Sequence, residues 1–123
     1  MITLIICTYN REKYIRPLLE SIVKNDYPAT DYEIVLVDNN CTDNTRGVCE
    51  EFSASHPEVA LRYVVESEQG LSAARNKGIK EAKGDIIIYV DDDALVDTDY
   101  IRQYAEHFTA HPETMAAGGP IEP

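Results

Sequence analysis

The chain predicts an α/β fold built on one open, mostly parallel sheet with helices on both faces. Three observations carry that prediction. Apolar, β-branched runs recur at residues 2–7, 33–37, 61–65 and 85–90, with a weaker fifth at 114–117. These runs are near-continuous rather than alternating, the pattern of strands buried on both faces. The stretches between them carry apolar residues at helical spacing, so the order reads β-α-β-α-β-α-β-α-β. Short, right-handed crossovers then make the sheet parallel. With 123 residues, the whole of 1–123 suits one domain.

Each element has a local justification. "ITLIIC" is the first strand. Ile15, Leu18, Leu19, Ile22 and Val23 form the stripe of the first helix. Pro17 is tolerated only in an opening turn, which places the helix start near Tyr14. "EIVLV" is the second strand. Thr42 and Asp43 are N-cap residue types for the second helix, which ends before His56-Pro57. "LRYVV" follows as the third strand. The third helix begins after Gly70, carries Leu71, Arg75, Ile79 and Ala82 on one stripe, and stops at Gly84 as a C′ glycine. That stripe turns Arg75 inward, with Gly78 on the same face for close packing on the sheet. "DIIIYV" is the fourth strand, and a fourth helix runs from about Asp97-Thr98 to Thr109.

Composition narrows the function. Hydrophobic residues make up 44% and charged residues 27%, which supports a packed core. Eleven basic against 22 acidic residues give a net charge of −11, which argues against nucleic-acid backbone and anionic membrane surfaces as partners. Cys7, Cys41 and Cys49 have neither disulfide-framework nor zinc spacing, and Cys7 reads as a packing residue. His56, His107 and His111 read as surface or helix-end residues. No stretch approaches the ~20 apolar residues of a membrane span, and no basic residue precedes the apolar start. A cytoplasmic protein without a transmembrane segment is the expectation. The glycines match neither a dinucleotide fingerprint nor a phosphate-binding loop, so classical NAD sites and P-loop hydrolysis drop out.

In an open α/β sheet, ligands bind beyond the carboxyl ends of the strands, where strand order reverses. The segments leaving those ends are Thr8-Tyr9-Asn10, Asp38-Asn39-Asn40, residues 66–70, and Asp91-Asp92-Asp93. All four are polar. The acidic triplet stands out, because like charges about 4 Å apart repel by roughly 1 kcal/mol even in water. Capping the next helix does not require it, since Asp97 and Thr98 fill that role. A hard divalent cation prefers such oxygens and takes one or two from protein. Alternation turns Asp91 and Asp93 to one side and Asp92 to the other, so an Asp-x-Asp pair is the sensible unit. Asp38 suits a ribose or base N–H, or equally a turn residue. An inward Arg75 needs an anionic or carbonyl partner, which a ligand or a carboxylate at the core edge supplies.

Four segments in this order, "LIICTYNRE", "EIVLVDNNCTDNT", "GLSAARNKGI" and "IIIYVDDDA", resemble the N-terminal half of a family 2 glycosyltransferase. The resemblance implies a Rossmann-like GT-A fold and a nucleotide-diphosphate sugar donor, most often a UDP-sugar, with Mn2+ or Mg2+. It places Thr8, Tyr9 and Asn10 along the nucleotide pocket, Asp38 at the base and Arg75 on the nucleotide. Asp91 faces the ribose or a metal-bound water, and Asp93 ligates the metal bridging the diphosphate. Asp92 holds the variable middle position, with an Asp92-Asp93 register as the alternative.

The implied reaction is inverting transfer to an acceptor hydroxyl of a carbohydrate or lipid-linked molecule, in the cytoplasm or at the inner face of a membrane. Family members continue well past residue 123, and the general base is expected there. The chain therefore reads as a truncated, donor-binding part, whose truncated sheet edge invites self-association. The alternative is a non-catalytic nucleotide-sugar-binding fragment. Nucleotidyl transfer is disfavoured, because "CTYNRE" offers only Arg11 as a cation after the first strand.

Overall fold

The computed structural model describes residues 1–110. Four strands, β1 (Ile2–Thr8), β2 (Tyr32–Asp38), β3 (Ala60–Val65) and β4 (Ile86–Asp91), alternate with helices α1 (Glu12–Val23), α2 (Thr45–Ser55), α3 (Leu71–Glu81) and α4 (Tyr100–Ala110). The sheet is all parallel in the order β3-β2-β1-β4. The chain builds outward from β1 to β3 and then crosses back to place β4 on the other side of β1. Strand order thus reverses between β1 and β4, which puts a ligand crevice at their carboxyl ends. The weak strand expected at 114–117, like His111, lies outside the described residues.

Side chains alternate across β1 and so divide the core in two. Ile2, Leu4 and Ile6 point to one face and are fully or almost fully buried. They pack there with Ile34, Leu36 and Ile88 against Ile15, Leu18, Leu19 and Ile22 of α1, Phe52 of α2 and Ile101 of α4. Ile5 points to the other face, where it joins Val35 and Val37 against Ala74 of α3. Burying about a dozen such side chains, at roughly 1.5–3 kcal/mol each, is the main drive to this fold.

The face of α3 corrects the sequence reading. Ala74 and Gly78 are buried, whereas Leu71 is 56% exposed, Ile79 is 49% exposed and Arg75 is exposed. The reason is steric. A Cβ on Gly78 would stand 2.6 Å from Ile5 Cγ2, so only the smallest residues permit this close a helix–sheet approach. Gly78 has the packing role expected of it, while Arg75, one turn away, sits at the edge of that face and stays exposed.

Helix ends also differ from expectation: Asn44, not Thr42 or Asp43, precedes α2, and α4 starts at Tyr100 rather than near Asp97-Thr98. Helix α1 starts at Glu12, which leaves Pro17 inside it beyond the opening turn. Helix α3 ends at Glu81 with Ala82 in extended conformation, so Gly84 is no C′ residue. Gly84 is needed for close approach instead, since a Cβ there would lie 2.6 Å from the Met1 carbonyl oxygen and 2.7 Å from Thr3 Oγ1.

Candidate functional site

The crevice between β1 and β4 is built from strand ends. Thr8 ends β1 almost fully buried, and its Oγ1 donates to Asp92 Oδ2 at 3.0 Å. Beyond β4 the chain turns, with the Ala94 N–H donating to the Asp91 carbonyl at 3.1 Å. Asp91 and Asp93 are exposed at this turn and Asp92 is half-buried. Exposure separates 91 and 93 from 92, but the chain turns here rather than running extended, and Asp91 and Asp92 line one cavity together. Burial pushes the Asp92 carboxyl above its usual range; the Thr8 hydroxyl and Arg11 pull it back, while Asp93 and Asp91 push it further up. Asp93 is paired with Arg11, Nη1 to Oδ2, at 3.3 Å.

A cavity of about 320 Å3 opens here, lined among others by Thr8, Tyr9, Arg11, Asn39, Gln69 and Asp92. A second, of about 160 Å3, shares Cys7, Leu71 and Asp92 with the first and adds Arg75, Tyr89 and Asp91. Arg75 thus borders the site from the exposed side of α3, with its guanidinium 5.2 Å from the Tyr89 ring centroid. Cys7 lies between the two cavities, but burial pushes its thiol up to about 11, so it stays protonated at neutral pH. Packing remains its role.

Two expected site residues face their neighbours rather than the cavity. Asp38 is 7% exposed; its Oδ1 accepts from the Cys41 N–H at 2.6 Å and its Oδ2 accepts from the Tyr63 hydroxyl. Burial first, and then the Asp38 carboxylate, push the Tyr63 hydroxyl far above its ordinary value, which fixes it as a donor. Asn10 adopts a left-handed φ of 53°, and its Oδ1 accepts from the Thr42 N–H at 2.7 Å. It ties the exit of β1 to the loop before α2.

Sequence reasoning passed over Arg11, Asn39, Tyr63 and Gln69 as site residues. Arg11 had a signal, being the only cation in the loop between β1 and α1. Asn39 and Gln69 had a signal too, each standing at a strand exit, whereas Tyr63 had none, because a polar residue within a strand does not disclose its distant partner.

Three successive carboxylates supply the hard oxygen donors that Mn2+ or Mg2+ takes, and Asp93 already has a cation, the Arg11 guanidinium, beside it. The residues fit such an ion. Among the described residues no three His, Cys, Asp or Glu side chains converge into a ready metal cluster. The protein's share would therefore be one or two oxygens. Among the described residues, too, no helix is long and apolar enough to cross a membrane.

The sequence pattern of Glycosyl transferase family 2 matches residues 3–122. The chain belongs to glycosyltransferase family 2. Family relatives include Glycosyltransferase GlyA of Streptococcus pneumoniae, 33% identical over 117 residues, or 95% of this chain and 16% of that protein. Another is the poly(ribitol-phosphate) beta-N-acetylglucosaminyltransferase TarS of Staphylococcus aureus, 31% identical over 89% of this chain and 19% of that protein. This chain therefore spans less than a fifth of either relative.

Family 2 likeness extends to solved structures. The structure of TarS residues 1–349 with UDP-GlcNAc matches with a TM-score of 0.81 and 31% identity, over 90% of this chain and 32% of that one. A mannosyltransferase of Pyrobaculum calidifontis with GDP-Man and Mn2+ matches with a TM-score of 0.83 and 33% identity, over 87% and 32%. The open, all-parallel α/β sheet is accordingly of GT-A type.

Proposed function

We propose that residues 1–123 are the donor-binding part of an inverting glycosyltransferase that takes a nucleotide-diphosphate sugar, a UDP-sugar before others, and transfers it to an acceptor hydroxyl with Mn2+ or Mg2+. The observation that carries this reading is the crevice at the strand-order reversal, where Thr8, Arg11 and Asp92 meet in one cavity and Asp91 and Asp93 flank it. In this reading Asp93 and Asp91 hold the metal, whose chemistry is to offset the charge that gathers on the departing nucleoside diphosphate.

The protein's own residues do the rest. Thr8 orients Asp92, while Arg11 balances Asp93 and borders the diphosphate. Tyr9, half-exposed at the cavity rim, covers the nucleotide. Asp38, turned to Cys41 and Tyr63 in the ligand-free chain, would have to free an oxygen from them to reach the base, and Arg75 approaches the nucleotide from the second cavity. The acceptor and the base that takes its proton are assigned to no residue of this chain, because a base must come within ~3 Å of that proton.

The test is calorimetric titration of the 123-residue chain with UDP and with GDP, each with and without Mn2+, on the parent and on Asp93→Ala. Metal-dependent UDP binding, weakened roughly a hundredfold in Asp93→Ala, supports the assignment. Equal binding of UDP and GDP overturns the UDP preference. No binding of either nucleotide overturns the donor site.

A further inference from the structure

The wall of the larger cavity opposite Thr8, Tyr9 and Arg11 is Gln69, Gly70 and Leu71, the end of the loop joining β3 to α3. Residues 67–70 are all exposed, so no apolar contact holds this loop in place. What holds it is hydrogen bonding, and the tethers come from the exit of β2. The Glu66 N–H donates to the Asp38 carbonyl at 2.9 Å. Asn40 Nδ2 donates to the Ser67 carbonyl at 2.9 Å and to Gln69 Oε1 at 3.0 Å.

Asn39 does most. Its Nδ2 donates to the carbonyls of Glu66 at 2.9 Å and Glu68 at 2.8 Å, and its Oδ1 accepts from the Gly70 N–H at 2.9 Å and from Gln69 Nε2 at 3.4 Å. The two N–H groups and two lone pairs of the amide are all used, and all by one loop. The side chain is only 5% exposed, so this is a saturated buried bridge rather than a surface contact. Its backbone N–H also donates to the Thr8 carbonyl at 3.0 Å, which fixes the bridge to the opposite wall. Gly70, whose φ of 132° favours glycine, then starts α3 from the position Asn39 gives it.

We propose that Asn39 is a positioning residue that holds residues 66–70 in place as the nucleotide-facing wall, and so sets the affinity for the donor. The inference rests on the donor reading above. It extends that reading by assigning the wall's position to a side chain that need not touch the reacting atoms. The direction of the amide matters: two carbonyls require a donor where Nδ2 stands. Asn39→Asp keeps the acceptor for Gly70 but sets oxygen against oxygen at Glu66 and Glu68, so a variant of nearly equal size should fail like Asn39→Ala.

The experiment pairs amide hydrogen exchange of the ligand-free 123-residue chain with titration by UDP and Mn2+, for the parent, Asn39→Ala and Asn39→Asp. The expected result is exchange at Glu68 to Leu71 faster by roughly tenfold or more in both variants, with β1 and β2 protected as in the parent. The UDP dissociation constant should rise by roughly tenfold or more. UDP binding within about twofold of the parent overturns the proposal. So does faster exchange spread through β1 and β2, which would make Asn39 a general prop of the fold. If Asn39→Ala does not fold, Asn39→Asp decides. A parent that binds no UDP overturns the donor reading and the affinity claim with it, while exchange at Gly70 still decides whether Asn39 holds the loop.

Discussion

Two carboxylates at opposite ends of the same sheet, Glu33 buried and Asp92 half-buried, are treated in opposite ways. At the amino end, Glu33 is 3% exposed and fully partnered. Its Oε2 accepts from Thr3 Oγ1 at 2.7 Å and from the Lys83 N–H at 2.6 Å, and its Oε1 pairs with Arg62 at 2.9 Å. Burial alone would push the Glu33 carboxyl up, but the Lys83 N–H, the Thr3 hydroxyl and Arg62 hold it below the usual range. At the carboxyl end, burial wins and the Asp92 carboxyl sits above its usual range beside two further carboxylates. One end is closed and satisfied. The other keeps three adjacent carboxylates with Arg11 as the ion-pair partner of Asp93, and it is there that the proposed metal would bind.

The comparison can be broken at either end. Glu33→Ala should cost the most, about 2–4 kcal/mol of stability by denaturant titration, because it leaves the Lys83 N–H and the Thr3 hydroxyl without their acceptor and Arg62 with Glu81 alone. A loss below about 1 kcal/mol would mean that the amino-end network is decoration. Gly78→Ala, in mid-sheet, should cost about 1–3 kcal/mol by the same measurement, since its methyl must displace Ile5. The corresponding ion pair at the carboxyl end behaves differently. Arg11→Ala should change stability by less than about 1 kcal/mol, because Arg11 and Asp93 are both exposed. Its UDP binding with Mn2+ should nevertheless weaken.

The pH dependence sharpens the contrast. Glu33 has a lowered folded value, so its contribution is present above its ordinary 4.5 and is lost as pH falls through the folded value. Acid unfolding of the parent should therefore include a component that Glu33→Gln removes. Asp92 has a raised folded value, so stability is greatest below its ordinary 3.8 and is lost as pH rises through the folded value. Asp92→Asn should be the more stable protein at neutral pH, with the gain vanishing in acid.

Much of this was legible in the sequence, for identifiable reasons. The four strands were plain because a run such as Ile86-Ile87-Ile88 has no other use in a parallel sheet. The crevice was plain because polar residues stood at every strand exit. The inward face of α3 was not, because an apolar stripe was read where the contact belongs to small residues. Ala74 and Gly78 bury by being small, while Leu71 and Ile79 stay out. The roles of Asn39 and Asp38 were hidden for another reason. Each is set by a partner some 25 to 31 residues away, Tyr63 for Asp38 and the 66–70 loop for Asn39. Local pattern carries no record of such pairs.

The most direct measurement is thermal unfolding of the parent and Asp92→Asn at neutral pH, each with and without UDP and Mn2+. The ligand-free variant should melt higher than the parent, by roughly 1–4 °C. UDP and Mn2+ should also raise the melting temperature of the parent by more than that of the variant, whose cavity wall is altered beside Asp91 and Asp93. A variant that melts lower than the parent, or that gains as much from the ligands, would contradict the claim that the carboxyl end gives up stability to hold a cation and its nucleotide.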